Sequence, residues 1–149
     1  MKQLIHRTAA LIATLCIALF FVSSISVELF GTHAAIATVK GLIVYPGLFV
    51  LVPAIAITGA TGFSFSKSRS GPFLDAKKKR MPIIAANGLL ILLPAAIYLD
   101  RLAETGAFDT SFYLVQSLEL FAGGVNLLLM TLNIRDGLRL AGRFKPAKN

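Results

Sequence analysis

The chain has 149 residues, 56% of them hydrophobic and only 15% charged, with a formal net charge of +8 and a mean hydropathy of +0.75. Globular domains are about 45–50% apolar and about 25% charged, so an ordinary soluble domain is excluded. A lone cysteine, Cys16, excludes an internal disulfide, a cysteine redox pair and a Cys-based metal centre.

The apolar residues gather into four runs, at about 8–30, 40–62, 82–99 and 111–134. Each is close to the ~20 residues with which an α-helix crosses ~30 Å of hydrocarbon at ~1.5 Å per residue. The expected fold class is an all-α membrane protein, an antiparallel four-transmembrane-helix bundle in which 1–149 form a single membrane domain. Short connections favour sequential neighbours packed up-down-up-down.

A short basic start containing Lys2 and Arg7 precedes the first run. That run is longer than the ~7–15-residue core of a secretory signal, and the small-residue stretch Ala35-Ile36-Ala37 lies far beyond it, so it reads as a retained membrane helix. Residues 31–39 read as a short polar connection carrying His33. In the second run Pro53 lacks a backbone donor and is expected to kink the helix. The stretch 58–62, Thr-Gly-Ala-Thr-Gly, is small enough for close helix approach.

Residues 63–81 form a basic loop in which Ser70-Gly71-Pro72 breaks any helix, while Ala76 to Arg80 carry their charges into the third span. Phe63, Phe65 and Phe73 among those charges suit a headgroup region. The third span begins at Pro82, where a missing N–H costs nothing, and carries Asn87 and Pro94 before ending at Asp100 and Arg101. A second connection, 102–110, pivots on Gly106. The fourth span continues past Asn133 as an amphipathic end with Arg135, Arg139 and Arg143 on one face.

Charge is unevenly distributed between the two sides. The start, the 63–81 loop and the tail hold thirteen of the fifteen Lys and Arg residues but only Asp75 and Asp136. The other side has Lys40 and Arg101 against Glu28, Asp100, Glu104, Asp109 and Glu119. The Lys/Arg bias fixes membrane orientation, so both termini and the basic loop are expected to be cytoplasmic. Orientation and attraction to anionic headgroups account for this charge, and nucleic acid is not an expected partner.

The fourth run is the informative one. Gln116, Glu119, Gly123, Asn126, Met130, Asn133 and Gly137 follow at steps of three and four, a single stripe on a helix. Lipid would see Leu, Val and Phe, and the stripe must face protein or a wet cavity. Glu119 is the sharpest residue, because a charged carboxylate inside a span costs on the order of 2–3 kcal/mol or more unless paired, hydrated or protonated. It is expected either to bind a proton, cation or ligand, or to be locked to Arg101 or hydrogen-bonded to Gln116 and Asn87. Asn87 is expected to face Asn126 or Asn133.

Other chemistries lack their residues. His6 and His33 fall at opposite surfaces and cannot share a haem, and two His without a carboxylate or His cluster do not make a metal site. No nucleophile motif or phosphate-binding loop occurs. The functional expectation is a small inner-membrane protein without enzymatic activity or cofactor, an accessory subunit or a lipid- or quinone-associated helical scaffold. Its expected partners are membrane lipids and either another membrane protein or further copies of itself. The alternative is a small oligomeric transporter or channel that uses Glu119 as its coupling carboxylate. Glu119→Gln is expected to leave a scaffold stable and to silence a transporter.

Overall fold

The computed structural model describes residues 1–66 and 72–140. The described residues form six α-helices, α1 (Lys2–Phe30), α2 (His33–Leu42), α3 (Leu48–Ser66), α4 (Pro72–Asn87), α5 (Leu93–Glu104) and α6 (Thr110–Leu140), and no strand. Two pairs run nearly end to end, α2 with α3 and α4 with α5. Among the described residues there are therefore four helical stretches long and apolar enough to cross a membrane, Lys2–Phe30, His33–Ser64, Lys78–Glu104 and Thr110–Arg139. This all-α four-helix arrangement is the expected one and is compatible with a small multi-pass membrane protein.

Contacts between distant residues order the two ends. At one end His6 on α1 is hydrogen-bonded to Thr61 on α3 at 2.8 Å, and Arg80 on α4 donates to Asp136 on α6 at 2.6 Å. At the other end His33 stacks on Phe108 with ring centroids 4.2 Å apart. Helices α1 and α3, and likewise α4 and α6, are thus antiparallel neighbours. The first is called the basic end below, because Lys2, Arg7, Lys78, Lys79, Arg135 and Arg139 are exposed there.

Two apolar cores fill the interior. Toward the basic end, Ala13 and Ile17 of α1, Leu51 and Ala54 of α3 and Met130 of α6 are buried together. Toward the opposite end, Ile36 of α2 packs with Leu99 and Ala103 of α5 and Phe112 of α6. Large apolar side chains such as Leu15, Leu19, Leu90, Leu114, Phe121 and Leu128 point outward, the inverse of a water-soluble bundle and the surface a lipid solvent requires.

The second span departs from expectation at two places. Residues 33–39 are helical, not a loose connection. Thr32 caps α2 by accepting from the Ala35 N–H at 3.2 Å, so the span starts seven residues before Lys40. The interruption falls at Tyr45 (φ −134°, ψ 117°) and not at Pro53, which lies within the uninterrupted helix α3. A residue preceding proline is pushed out of helical geometry toward extended backbone, and Tyr45 precedes Pro46. The bend lets α2 lean on α5 while α3 lies along α1.

A milder irregularity precedes Pro94. The Leu93 N–H bonds to Gly88 O, five residues back, so the chain makes one widened turn before the proline. Gly106 takes φ +70° in the turn between α5 and α6, a left-handed conformation that favours glycine. Asp109 caps α6, its Oδ1 accepting from the N–H groups of Ser111 and Phe112 and from the Ser111 hydroxyl. The expectations for Ser70-Gly71 and Arg143, and for the side chains of Phe65 and Phe73, lie outside the described residues.

Candidate functional site

The polar stripe of α6 faces the interior along most of its length, with Gln116, Glu119, Gly123, Asn126, Met130 and Asn133 all buried and Gly137 half-buried. Helical spacing dictates this: steps of three and four keep the polar residues on one side while Leu114, Leu118, Phe121 and Leu128 cover the other. Neighbouring helices meet the stripe at three levels.

The level farthest from the basic end holds a charge pair. Lys40 Nζ lies 2.5 Å from Glu119 Oε2 and donates to Ser24 Oγ at 3.3 Å, joining α2, α6 and α1. Lys40 is fully buried and the Glu119 side chain is 11% exposed. An ion pair this deep cannot rely on solvent. Each partner is stable there because the other is present, and removing one leaves an uncompensated charge. The pair is placed by the early start of α2: Ile36, Lys40 and Ile43, at steps of four and three, are all buried on one face.

The middle level is uncharged. Asn87 Nδ2 donates to Asn126 Oδ1 at 2.9 Å and to Ala122 O at 2.8 Å, while Asn126 Nδ2 donates to Ile84 O at 3.4 Å. The Gly123-Gly124 pair seats the ring of Phe21 from α1. A Cβ on Gly123 would stand 3.4 Å from Phe21 Cδ2. The two glycines thus accommodate an aromatic side chain.

The level at the basic end is again charged. Arg80 bonds Asp136 Oδ2 at 2.6 Å and reaches Asn133 Oδ1 at 3.5 Å, with Arg135 Nε 3.5 Å from Asp136 Oδ1. Asp136 is 2% exposed and Arg80 is half-buried.

Beside Glu119 lies a cavity of about 60 Å³, lined by Ile17, Phe20, Ser24, Leu51, Glu119 and Gly123 among others. At ~10–15 Å³ per water centre it has room for a few water molecules. Several buried polar atoms on the same half of the bundle lack a hydrogen-bond partner among the described residues: Glu28 Oε1, Asp100 Oδ1, and both Nε2 and Oε1 of Gln116.

The residues singled out in the sequence are distributed unevenly over this site. Gln116, Glu119, Asn126, Asn133 and Asn87 lie along one internal seam. Arg101 does not belong to it. It is exposed on α5, its neighbour Asp100 turns inward beside Gly41, and Glu119 pairs with Lys40 instead. Consecutive helix positions point about 100° apart, so Asp100 and Arg101 cannot share a face. Lys40, Ser24, Arg80 and Asp136 complete the seam and were not among the candidates. No group of three or more His, Cys, Asp or Glu suited to a metal ion occurs among the described residues. No protein-family model matches the chain, and neither the curated proteins nor the solved structures compared with it give a match.

Proposed function

We propose that this chain is a non-enzymatic, multi-pass protein of the cell's inner membrane, an accessory subunit or a lipid- or quinone-associated helical scaffold. The observation that carries this reading is the use of the α6 polar stripe in internal contacts at all three levels, Lys40–Glu119, Asn87–Asn126 and Arg80–Asn133, the last beside the Arg80–Asp136 pair. A stripe used in this way joins helices. The outward surface left for partners is apolar, and the exposed cations gather at one end. With Lys and Arg on the cytoplasmic side, that end and both termini face the cytoplasm. Anionic lipid headgroups are the natural contacts of Lys78, Lys79, Arg135 and Arg139 there, each worth about 1 kcal/mol near such a surface.

Flux measurements on the purified protein in sealed liposomes test this reading. A scaffold leaves proton and alkali-cation permeability at the level of protein-free vesicles. Flux above that level, lost on Glu119→Gln, would reject it.

The second reading, a small oligomeric transporter or channel coupled through Glu119, is favoured by one observation. The cavity beside Glu119, together with Gln116, whose amide has no partner among the described residues, places polar atoms and free volume on the seam itself. The cavity is small, and Lys40 already neutralises Glu119, so the first reading is preferred.

A further inference from the structure

The charge pair is part of a larger group. Glu28 stands four residues after Ser24 on α1, and Gln116 three residues before Glu119 on α6. Both therefore sit one turn beyond the Ser24–Lys40–Glu119 level, on the faces that meet there. Glu28 is within electrostatic reach of Lys40, Glu119 and His33. One of its carboxylate oxygens is buried without a partner among the described residues, while the rest of the residue is partly exposed. Gln116 is 3% exposed, with neither its amide nitrogen nor its oxygen bonded to any described residue. A buried amide with both ends unmatched marks a place where something further is held.

The cluster contains two carboxylates, Glu28 and Glu119, and one ammonium, Lys40. Two fixed negative charges against one positive, one carboxylate buried and the other only partly exposed, leave a deficit of one cation. A metal ion fits poorly, because Lys40 already occupies the cationic position and no metal-type grouping occurs among the described residues. A proton fits, since it needs no coordination shell and one carboxyl O–H can be received by the Gln116 oxygen or a neighbouring carboxylate.

We propose that Glu28, Lys40, Gln116 and Glu119 form a proton-binding site in which the two carboxylates together hold one proton, exchanged with water through Glu28 at the end opposite the basic one. Uptake forms one O–H bond on a carboxylate oxygen and converts one hydronium ion to water; release reverses it, with no redox partner. The charged and titratable groups that act on Glu28 are His33 and Lys40 from α2 and Glu119 from α6, while on α5 Asp100 lies beside Gly41 and interacts with Glu104. The site goes beyond the helix-joining role and does not depend on it. A scaffold and a transporter could each contain it.

Infrared difference spectroscopy of the protein in liposomes, stepped from neutral to alkaline pH, reads the carboxylic-acid C=O band directly. Wild type is expected to show a band at neutral pH. Glu28→Gln and Glu119→Gln each leave one carboxylate for one ammonium, so each should abolish it. Lys40→Met should increase the band roughly twofold, because two carboxylates then need a proton each. Asp100→Asn is the control and should leave the band unchanged. Both glutamines preserve the side-chain shape, and circular dichroism verifies that each variant is helical before comparison. Absence of the band in wild type, or its persistence in both glutamine variants, would overturn the proposal.

Discussion

Lys40 and Glu119 stand 2.5 Å apart across the interface of two helices that are distant in sequence, with Lys40 removed entirely from solvent. Because Lys40 has no solvent to fall back on, the pair behaves as a unit. Lys40→Met strands Glu119 and is expected to cost about 3–5 kcal/mol. Glu119→Gln should cost less, because Glu28 is within reach of the freed ammonium. The double variant Lys40→Met/Glu119→Met replaces both charges with apolar groups and should recover most of the loss. Unfolding in mixed micelles by denaturant titration measures all three, and a double variant less stable than Lys40→Met would count against the pair. Glu119→Gln, expected from the sequence to be near neutral in a scaffold, therefore becomes destabilising once its partner is a buried lysine.

The amide level should be weaker. Hydrogen bonds between membrane helices average about 0.6 kcal/mol and reach ~1.7 kcal/mol. A double-mutant cycle on Asn87→Ala and Asn126→Ala is expected to give a coupling energy in that range, from the 2.9 Å bond between the two side chains. A coupling of zero would mean that the two amides do not meet.

Two glycines should respond oppositely to alanine. A Cβ on Gly47 would lie 2.6 Å from Phe20 Cζ and 2.9 Å from the Leu42 carbonyl oxygen, so Gly47→Ala forces backbone at the bend to move. A loss of about 1–3 kcal/mol is expected, as for other overpacked sites. Nothing lies within 4 Å of the corresponding position on Gly59, an exposed residue inside α3. There Gly59→Ala should gain about 0.5–1 kcal/mol from the better helix former. The same unfolding titration checks both signs.

Asp109 supplies a pH dependence outside the spans. Hydrogen bonds from the Ser111 hydroxyl and from the Phe112 and Ser111 N–H groups hold its carboxyl below the usual carboxylate range. With a folded value below the unfolded one, the cap's contribution is complete above the ordinary carboxylate range and is lost as pH falls through the depressed value. Asp109→Asn should keep most of the cap and flatten that acid limb, whereas Asp109→Ala should lower Tm at all pH values. Thermal unfolding followed by circular dichroism from neutral pH down through strongly acidic pH, below the ordinary carboxylate range, reads the difference.

Much of the fold was legible because a membrane leaves few options: four apolar runs of spanning length have to be helices, and a polar stripe on one of them has to turn inward. The stripe on α6 could be read residue by residue from its spacing. Lys40 could not, because Gly31, Thr32 and His33 looked like a loop and placed Lys40 at the edge of a span. The contrary signal was present. Thr32 is a good N-cap residue, and Ile36, Lys40 and Ile43 share a helix face, a pattern that starts the helix at His33. Which cation meets Glu119 is a tertiary fact that no local pattern encodes. Arg101 is near the same end, yet it lies one residue off the inward face. The missing donor of Pro53 points to a bend there, yet the chain yields at Tyr45, where proline restricts its preceding neighbour.

The most direct test of the functional reading is native mass spectrometry of the protein ejected from membrane-derived nanodiscs, without detergent exchange. The scaffold reading predicts a reproducible complex of fixed stoichiometry, either with a different polypeptide or with a retained lipid or quinone that survives activation. A bare monomer, or a homo-oligomer carrying neither, would contradict it.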